Sequence, residues 1–348
     1  MLKLPGQLTT EKFLSRYWQK KPLFMPQAIG SMRPTITRNE LAWLATLDDV
    51  ESRIVTTIRE NERTRYHVET GPFDTAFLEA LPKRNWTLLV HDVEKHLPAM
   101  RRQFEQVPFI PDWRIDDLMI SFAAPGGGVG PHRDNYDVFL CQGIGTREWR
   151  FSTGSIPADP AASDDLVLLQ EFSGDECHTA SKGDVLYLPP GVAHWGTARR
   201  ACMSYSIGMR APSAYRDPDL QLDEVSPGYI SQAALRRAGA DAATLGCEVT
   251  ELKEWLRPLE PTKEEEKHAL RTTRAAPLLH LHGMARLAFD DGNLYLNGDQ
   301  RKLSADDRRV VQDLCRNRRL TRASRSAISR ELFAWLIRHG AFELPGNP

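Results

Sequence analysis

The chain has 348 residues, is 41% hydrophobic and 26% charged, and carries a net charge of −1 at neutral pH. Such a composition excludes a disordered tail protein, a collagen-like fibre and an overall polycation, and the length leaves room for two or three domains. No run approaches the ~18 consecutive apolar residues of a membrane span, and the N-terminal MLKLPGQLTTEKFLSRYWQKKP lacks a signal-peptide core. A cytoplasmic protein without a membrane partner is expected. The five cysteines, Cys141, Cys177, Cys202, Cys247 and Cys315, form no CxxC pair, which excludes a zinc ribbon and a thioredoxin motif. They read as reduced, mostly buried thiols.

In chain order, residues 10–21 and 39–48 have the helical spacing of apolar side chains, among them Phe13, Leu14, Tyr17 and Trp18. From Ile54 to Ile207 the texture changes to short β-prone runs (SRIVTTI, WTLLV, DLMISF, YDVFLCQ, EWRFS, DVLYLPP, MSYSIGM) separated by Gly, Pro and Asp. Closely spaced strands of this kind predict a barrel or a two-sheet sandwich. Residues 213–272 turn helical again, through ISQAALRRAGADAATLG and TELKEWLRPLE, and the run Glu264-Glu265-Glu266-Lys267 reads as a solvated helix face. The last segment opens with a hairpin, MARLAF-DDGN-LYLNG, turning at Asp291-Gly292. Ser304 and Asp307 then resemble a capping box, and a final helix near 326–338 should stop at Gly340. A hairpin joined to helices predicts a small winged-helix-like domain. Residues 271–348 hold 14 Lys+Arg against 8 Asp+Glu, so a tail of +6 follows a body of −7. The arginines from Arg316 to Arg325 are candidates for contact with nucleic acid or an acidic partner.

The chemistry concentrates in two places. Pro125-Gly-Gly-Gly-Val-Gly-Pro-His132-Arg133-Asp134 sets an imidazole and a carboxylate two residues apart, a spacing that puts both on one side of a strand. Sixty residues later, Gly183…Pro189-x-Gly191-x-x-His194 reads as a strand, a turn that stops it, and a histidine aimed back inside. Two histidines and one carboxylate on one face of a metal leave neighbouring positions open, the arrangement that non-haem Fe(II) oxygenases use, whereas zinc prefers a closed tetrahedral set. The glycine run lacks the Gly-Lys-Ser/Thr ending of a phosphate loop and reads as a turn that lets backbone approach the site. His280-Leu-His282 lies apart with no third ligand beside it, and reads as structural. Trp149, Trp195 and Tyr136 read as packing residues, while Tyr136 and Asp137 follow the metal motif closely enough to support it.

The run from Gly183 to His194 matches the second cupin motif, with Ala198 where that motif often has Asn. His132-x-Asp134…His194 resembles the iron triad of the JmjC 2-oxoglutarate oxygenases. More closely, FLSRYWQKKPLFM, ELAWLA…DVESRIV and DDLMISFAAPGGGVGPHRDNYDVFLCQG resemble the bacterial ribosomal oxygenases. The likeness covers most of residues 10–212 and, more loosely, the tail. It implies a mainly β JmjC/cupin double-stranded β-helix over 1–212, a helical dimerisation region over 213–272 and a winged-helix-like domain over 273–348.

The resemblance also implies a reaction. Fe(II) would be held by His132, Asp134 and His194, with 2-oxoglutarate and dioxygen as co-substrates. Arg147 would meet the distal carboxylate of 2-oxoglutarate, and Ser121 would help to hold the same molecule. Ser204 stands where relatives carry Asn and is a further candidate beside it. The implied product is an arginine hydroxylated at its β-carbon in a large-subunit ribosomal protein, made by a homodimer. A facing argument supports Arg147: if YDVFLCQ and REWRFS form a hairpin around Gly143-Ile144-Gly145-Thr146, Gln142 lies opposite Arg147. Reach then requires the chain to bend near Asn135 and Tyr136. Two other readings stand beside this one. The first is a cupin-type ligand-sensing regulator with a DNA-binding winged helix; the second is a cupin metalloenzyme that does not use 2-oxoglutarate.

Overall fold

Hydrophobic alternation and a few well-placed caps organise the chain into two units. The computed structural model describes residues 2–33, 35–60, 63–110, 112–152, 168, 169, 172, 174–209, 228–232, 235, 241–251, 262–283 and 285–342. The first unit comprises Met1–Val107 and Asp116–Met209; the second comprises Pro108–Ile115 and Arg210–Pro348. Most of TELKEWLRPLE, much of ISQAALRRAGADAATLG and residues 213–227 lie outside the described residues.

In the first unit the helices are α1 (Thr10–Arg16), α2 (Arg38–Leu44), α3 (Thr75–Ala80) and α4 (Val93–His96). Thr9 caps α1 by accepting from Lys12 N, and Thr37 and Glu40 close a full capping box on α2. The strands are β1 (Leu23–Met25), β2 (Ser52–Glu60), β3 (Arg63–Thr70), β4 (Trp86–Val90), β5 (Ile115–Ala123), β6 (Val138–Ile144), β7 (Thr146–Ser152), β8 (Glu176–Ser181), β9 (Val185–Leu188), β10 (Ala193–Ala198) and β11 (Cys202–Met209). They form an eight-stranded sheet in the order β1-β9-β6-β11-β5-β4-β2-β3 and a three-stranded sheet in the order β10-β7-β8. The motif FLSRYWQ supplies Phe13 and Trp18, 0% and 1% exposed, which pack on Phe139 of β6 and Tyr187 of β9. Removing either ring leaves a cavity of a kind that typically costs about 3–5 kcal/mol.

The hairpin expected between YDVFLCQ and REWRFS does not form. β6 pairs with β9 and β11, whereas β7 pairs with β10 and β8. Between them the chain changes sheets at Gly145, whose φ is +66°. A Cβ there would sit 2.0 Å from the carbonyl oxygen of Ala201, so only glycine allows the crossing. Gln142 therefore lies opposite Ser204, and Arg147 lies between Ala180 and Ala198. The bend needed for reach is present, because residues 133–137 leave strand geometry before β6 begins.

The second unit contains α5 (Ala242–Thr250), α6 (Lys263–Ala275), α7 (Ala305–Asn317), α8 (Arg322–Ala327) and α9 (Arg330–Arg338). A three-stranded meander runs through β13 (Leu287–Phe289), β14 (Asn293–Leu296) and β15 (Asp299–Lys302), and β12 (Leu278–His280) pairs with β16 (Arg319–Thr321). The Asp290 carboxylate pins the β13–β14 turn by accepting from Gly292 N (2.6 Å), Asn293 N (2.8 Å) and Tyr295 Oη (2.5 Å). Ser304 caps α7 through Asp307 N, and Gly340 takes φ +69° just past α9. Leu287, Leu294, Leu314, Leu320, Leu332 and Leu336 share one core. Cys141, Cys202 and Cys315 are buried, but Cys177 faces solvent.

Candidate active site

His132 and Asp134 approach His194 from a segment that is not a regular strand. His132 and His194 form an isolated antiparallel bridge: His132 N donates to His194 O (3.0 Å) and His194 N to His132 O (2.9 Å). The two backbones are thus clamped side by side, with imidazole centroids 4.2 Å apart. Each ring places Nδ1 3.0 Å from a carbonyl oxygen, of Gly130 for His132 and of Val192 for His194. A carbonyl only accepts, so both Nδ1 atoms carry the proton and both Nε2 lone pairs are free. Asp134 Oδ1 lies 3.8 Å from His132 Nε2, and Asp134 Oδ2 lies 3.5 Å from His194 Nε2. Among the described residues this is the one group of three whose donor atoms all lie within 4.8 Å of each other.

Two further bonds hold the loop. Gly191 N donates to Asp134 O (2.8 Å), so the Pro-Gly turn before β10 ties down the carboxylate's backbone. The glycine run lies along β10, with Gly126 N donating to Ala198 O and Ala198 N to Gly127 O. A Cβ on Gly128 would sit 2.5 Å from Gly196 O, which explains why this stretch carries no side chains. Burial and the neighbouring His132 push His194 down to about 4, so its imidazole stays neutral and ligand-competent at neutral pH.

Arg147 enters the same pocket from β7. It is 5% exposed, and its Nη1 donates only to hydroxyls: Ser121 Oγ on β5 (3.3 Å) and Ser204 Oγ on β11 (3.5 Å). Ser204 in turn donates to Gln142 Oε1 (3.1 Å), whose amide is held by the carbonyls of Ile144 and Met203. No carboxylate among the described residues pairs with Arg147, and its buried Nε has no partner. Burial pulls the pKa of the guanidinium down. A buried cation in this state calls for an anion. The donor set fits both expected groups: two imidazoles and a carboxylate suit a divalent iron, and a guanidinium flanked by two hydroxyls suits a carboxylate.

The rest of the pocket is one face of the eight-stranded sheet, laid out with a period of two. Asp117, Met119 and Ser121 alternate along β5; Thr87, Leu89 and His91 follow from β4; Arg53 and Val55 come from β2. Register brings these rows together, with Leu89 opposite both Ser121 and Arg53. Asp117 Oδ2 lies 3.4 Å from His91 Nδ1, and His91 Nε2 lies 3.5 Å from Arg53 Nη2. Asp117, His91 and Arg53 escaped the motif search, although counting back by twos from Ser121 reaches Met119 and then Asp117. Tyr136 also lines the pocket and is 40% exposed. Asp137 is buried, accepting from Tyr187 Oη (2.5 Å) and Gln19 Nε2 (3.3 Å). Trp149 packs beside His194, whereas His280 is exposed on β12.

Comparison with known proteins agrees with this geometry. Residues 102–216 match the JmjC domain family. The ribosomal protein uL16 3-hydroxylase of Escherichia coli is 38% identical over 253 residues, covering 70% of this chain and 65% of that protein. A probable ribosomal oxygenase of Haemophilus influenzae is 32% identical over 252 residues, covering 67% and 60%. The sequence matches thus span somewhat less than two thirds of these curated relatives. The structural match is nearly complete. The E. coli ribosomal oxygenase YcfD, in its complex with cobalt and 2-oxoglutarate, superposes over 99% of both chains with a TM-score of 0.73 and 30% identity. The architecture is therefore a JmjC/cupin fold with appended helices, and the chain belongs to the JmjC-domain ribosomal oxygenases.

Proposed function

We propose that this protein is an Fe(II)- and 2-oxoglutarate-dependent oxygenase that hydroxylates the β-carbon of an arginine in a large-subunit ribosomal protein, the counterpart of uL16. The observation that carries the reading is Arg147, a buried cation with no counter-ion among the described residues, in the pocket that also holds the His132–Asp134–His194 cluster. The alternative of a cupin metalloenzyme that does not use 2-oxoglutarate gives that cation no task, and the ligand-sensing regulator is separated from the present reading by turnover.

When bound, the iron couples oxidative decarboxylation of 2-oxoglutarate, to succinate and carbon dioxide, to transfer of one atom of dioxygen into a C–H bond. The chain's own residues do the rest. His132 and His194 offer Nε2 because the carbonyls of Gly130 and Val192 occupy Nδ1. Arg147, with Ser121 and Ser204 at its Nη1, receives the distal carboxylate and so fixes the direction in which the co-substrate lies. Of the carboxylates lining the pocket, Asp134 belongs to the metal cluster and Asp117 remains for a guanidinium. Met119 and Tyr136 offer an apolar and an aromatic wall for the arginine's methylenes. The acidic body, −7 over residues 1–270, favours approach of a basic ribosomal protein. The resemblance further supports a homodimer formed through residues 213–272, which light scattering at several concentrations tests.

The decisive experiment incubates the full chain with Fe(II), 2-oxoglutarate, dioxygen and arginine-containing peptides of uL16. The expected result is a mass gain of one oxygen on one arginine, absent with His132→Ala. Succinate production without peptide oxidation would retain the oxygenase and remove the substrate. Neither signal from folded, iron-loaded protein would remove both.

A further inference from the structure

Between Leu314 and Arg330 the chain has six arginines and no lysine, aspartate or glutamate. The second unit uses two of them internally. Arg318 donates to the carbonyls of Ala285 (2.9 Å) and His282 (3.4 Å), and Arg325 donates to those of Thr273 and Ala276. Arg316, Arg319, Arg322 and Arg330 are exposed, and none forms an ion pair or side-chain hydrogen bond among the described residues. Arg316 lies in the last turn of α7, Arg319 opens β16 and Arg322 opens α8. Across the β12–β16 ladder, Leu279 and Leu320 face the core, each 1% exposed. Their neighbours His280 and Arg319, also directly opposite each other, therefore share the outer face. The histidine that serves no metal site thus stands opposite one of these exposed arginines, with Arg316 and Arg322 three residues to either side along the chain.

We propose that this face of the second unit, centred on Arg316, Arg319, Arg322 and His280, binds the phosphate backbone of RNA. Like charges gathered without a counter-charge repel one another, and a polyanion removes that repulsion while releasing its own counterions. Exclusive use of arginine suits phosphate, which the planar guanidinium meets with two parallel hydrogen bonds. An acidic protein partner fits less well. Protein interfaces depend on buried aromatic or apolar anchors, yet among the described residues the exposed large hydrophobics, Trp43, Ile58, Tyr136 and Ile144, all belong to the first unit. With no exposed large aromatic among the described residues of this unit to stack on bases, the contact reads backbone and not sequence.

The test is fluorescence anisotropy of the full chain with a labelled RNA duplex of about 20 base pairs, over a range of salt concentrations. The variants are Arg316→Gln/Arg319→Gln/Arg322→Gln together, with exposed Arg200→Gln of the first unit as control. The wild type is expected to bind with a steep salt dependence. The triple variant should lose about 2–3 from the slope of log K against log salt, and on the order of 10²-fold in affinity at low salt. Thermal unfolding and peptide turnover should be unchanged, and Arg200→Gln should bind like wild type. Absence of binding by the wild type, or an unaltered slope in the triple variant, would overturn the proposal. So would displacement of the RNA by a poly-glutamate peptide at equal charge concentration, which would assign the face to an acidic protein.

Discussion

Replacing Arg147 by methionine separates a co-substrate anchor from a structural arginine, because the two roles predict opposite effects on stability. In the free protein the guanidinium is 5% exposed, faces two neutral hydroxyls and leaves Nε unpaired. Burying a charge without a counter-ion is unfavourable, and an apolar residue of similar length removes that penalty. Arg147→Met without 2-oxoglutarate should therefore unfold at the same temperature as wild type or higher. Binding should fail instead. Loss of one partner from a buried, hydrogen-bonded charge pair costs about 3–5 kcal/mol. At about 1.4 kcal/mol per decade, the Kd for 2-oxoglutarate should rise roughly 10²- to 10⁴-fold. Wild type should gain about 2.7 kcal/mol of stability at a co-substrate concentration of about 100 Kd, and the variant should gain at most about 0.4 kcal/mol at that concentration. Differential scanning calorimetry with and without 2-oxoglutarate, on protein loaded with a redox-inert divalent metal, reads both effects, and succinate release reads KM. A variant that is clearly destabilised yet keeps its co-substrate affinity would show that Arg147 supports the sheet and leave the carboxylate site unassigned.

Asp117→Asn should raise the KM for the arginine peptide by roughly 10- to 100-fold, the value of a charged hydrogen bond at about 1.5–3 kcal/mol, while the KM for 2-oxoglutarate stays fixed; steady-state kinetics with each substrate varied in turn checks this. Glu94, 1% exposed, accepts from Leu118 N (2.9 Å), and burial raises its carboxyl to about 7, with Asp117 and Asp92 adding to the shift and Lys95 opposing it. Its folded pKa lies above the ordinary value of 4.5, so the native state holds more protons through that window and stability falls as pH rises from about 4.5 to about 7. Glu94→Gln should therefore gain relative to wild type as pH rises, by up to an order of 3 kcal/mol above about pH 7, and a pH-independent difference in melting temperature would refute it. Gly128→Ala forces a Cβ to within 2.5 Å of Gly196 O and should push the glycine run off β10, lowering metal stoichiometry in equilibrium dialysis more than it lowers the melting temperature.

The parts of the site that were legible in the sequence are those whose geometry is local. His132-x-Asp134 and the Gly183-to-His194 run carry their own turns, and the bridge that joins them needs only backbone. Ser304 and Asp307 likewise announce α7 because a cap is made within four residues. The failed hairpin marks the boundary. Gly143 to Thr146 has the composition of a hairpin turn, but strand partners are chosen by sheets assembled from distant segments, and Gly145 passes the chain from one sheet to the other. Arg147 still reaches the pocket, by a different route from the one expected: it faces inward from the three-stranded sheet and meets Ser121 and Ser204 of the eight-stranded sheet. Asp117, His91 and Arg53 were hidden for the opposite reason. Their strands were evident, but which face turned inward depended on strand order across β2, β4 and β5.

These two modes of construction give the site two different sensitivities. The proposed metal ligands are held by main-chain bonds: the reciprocal His132–His194 pair, Gly191 N to Asp134 O, and the carbonyls that orient both imidazoles. Such bonds survive most side-chain changes and fail when a glycine that permits close approach is lost. The carboxylate end is held by side chains from separate strands, Arg147 on β7, Ser121 on β5, and Ser204 with Gln142 behind it on β11 and β6. That end tolerates backbone variation only while these four strands keep their register, and it is tuned by single hydroxyls and amides. Ser204 shows the consequence: it donates to Gln142 and meets Arg147 without touching the His132–Asp134–His194 cluster, so under the proposed function a change there should shift co-substrate affinity and leave metal binding as it is.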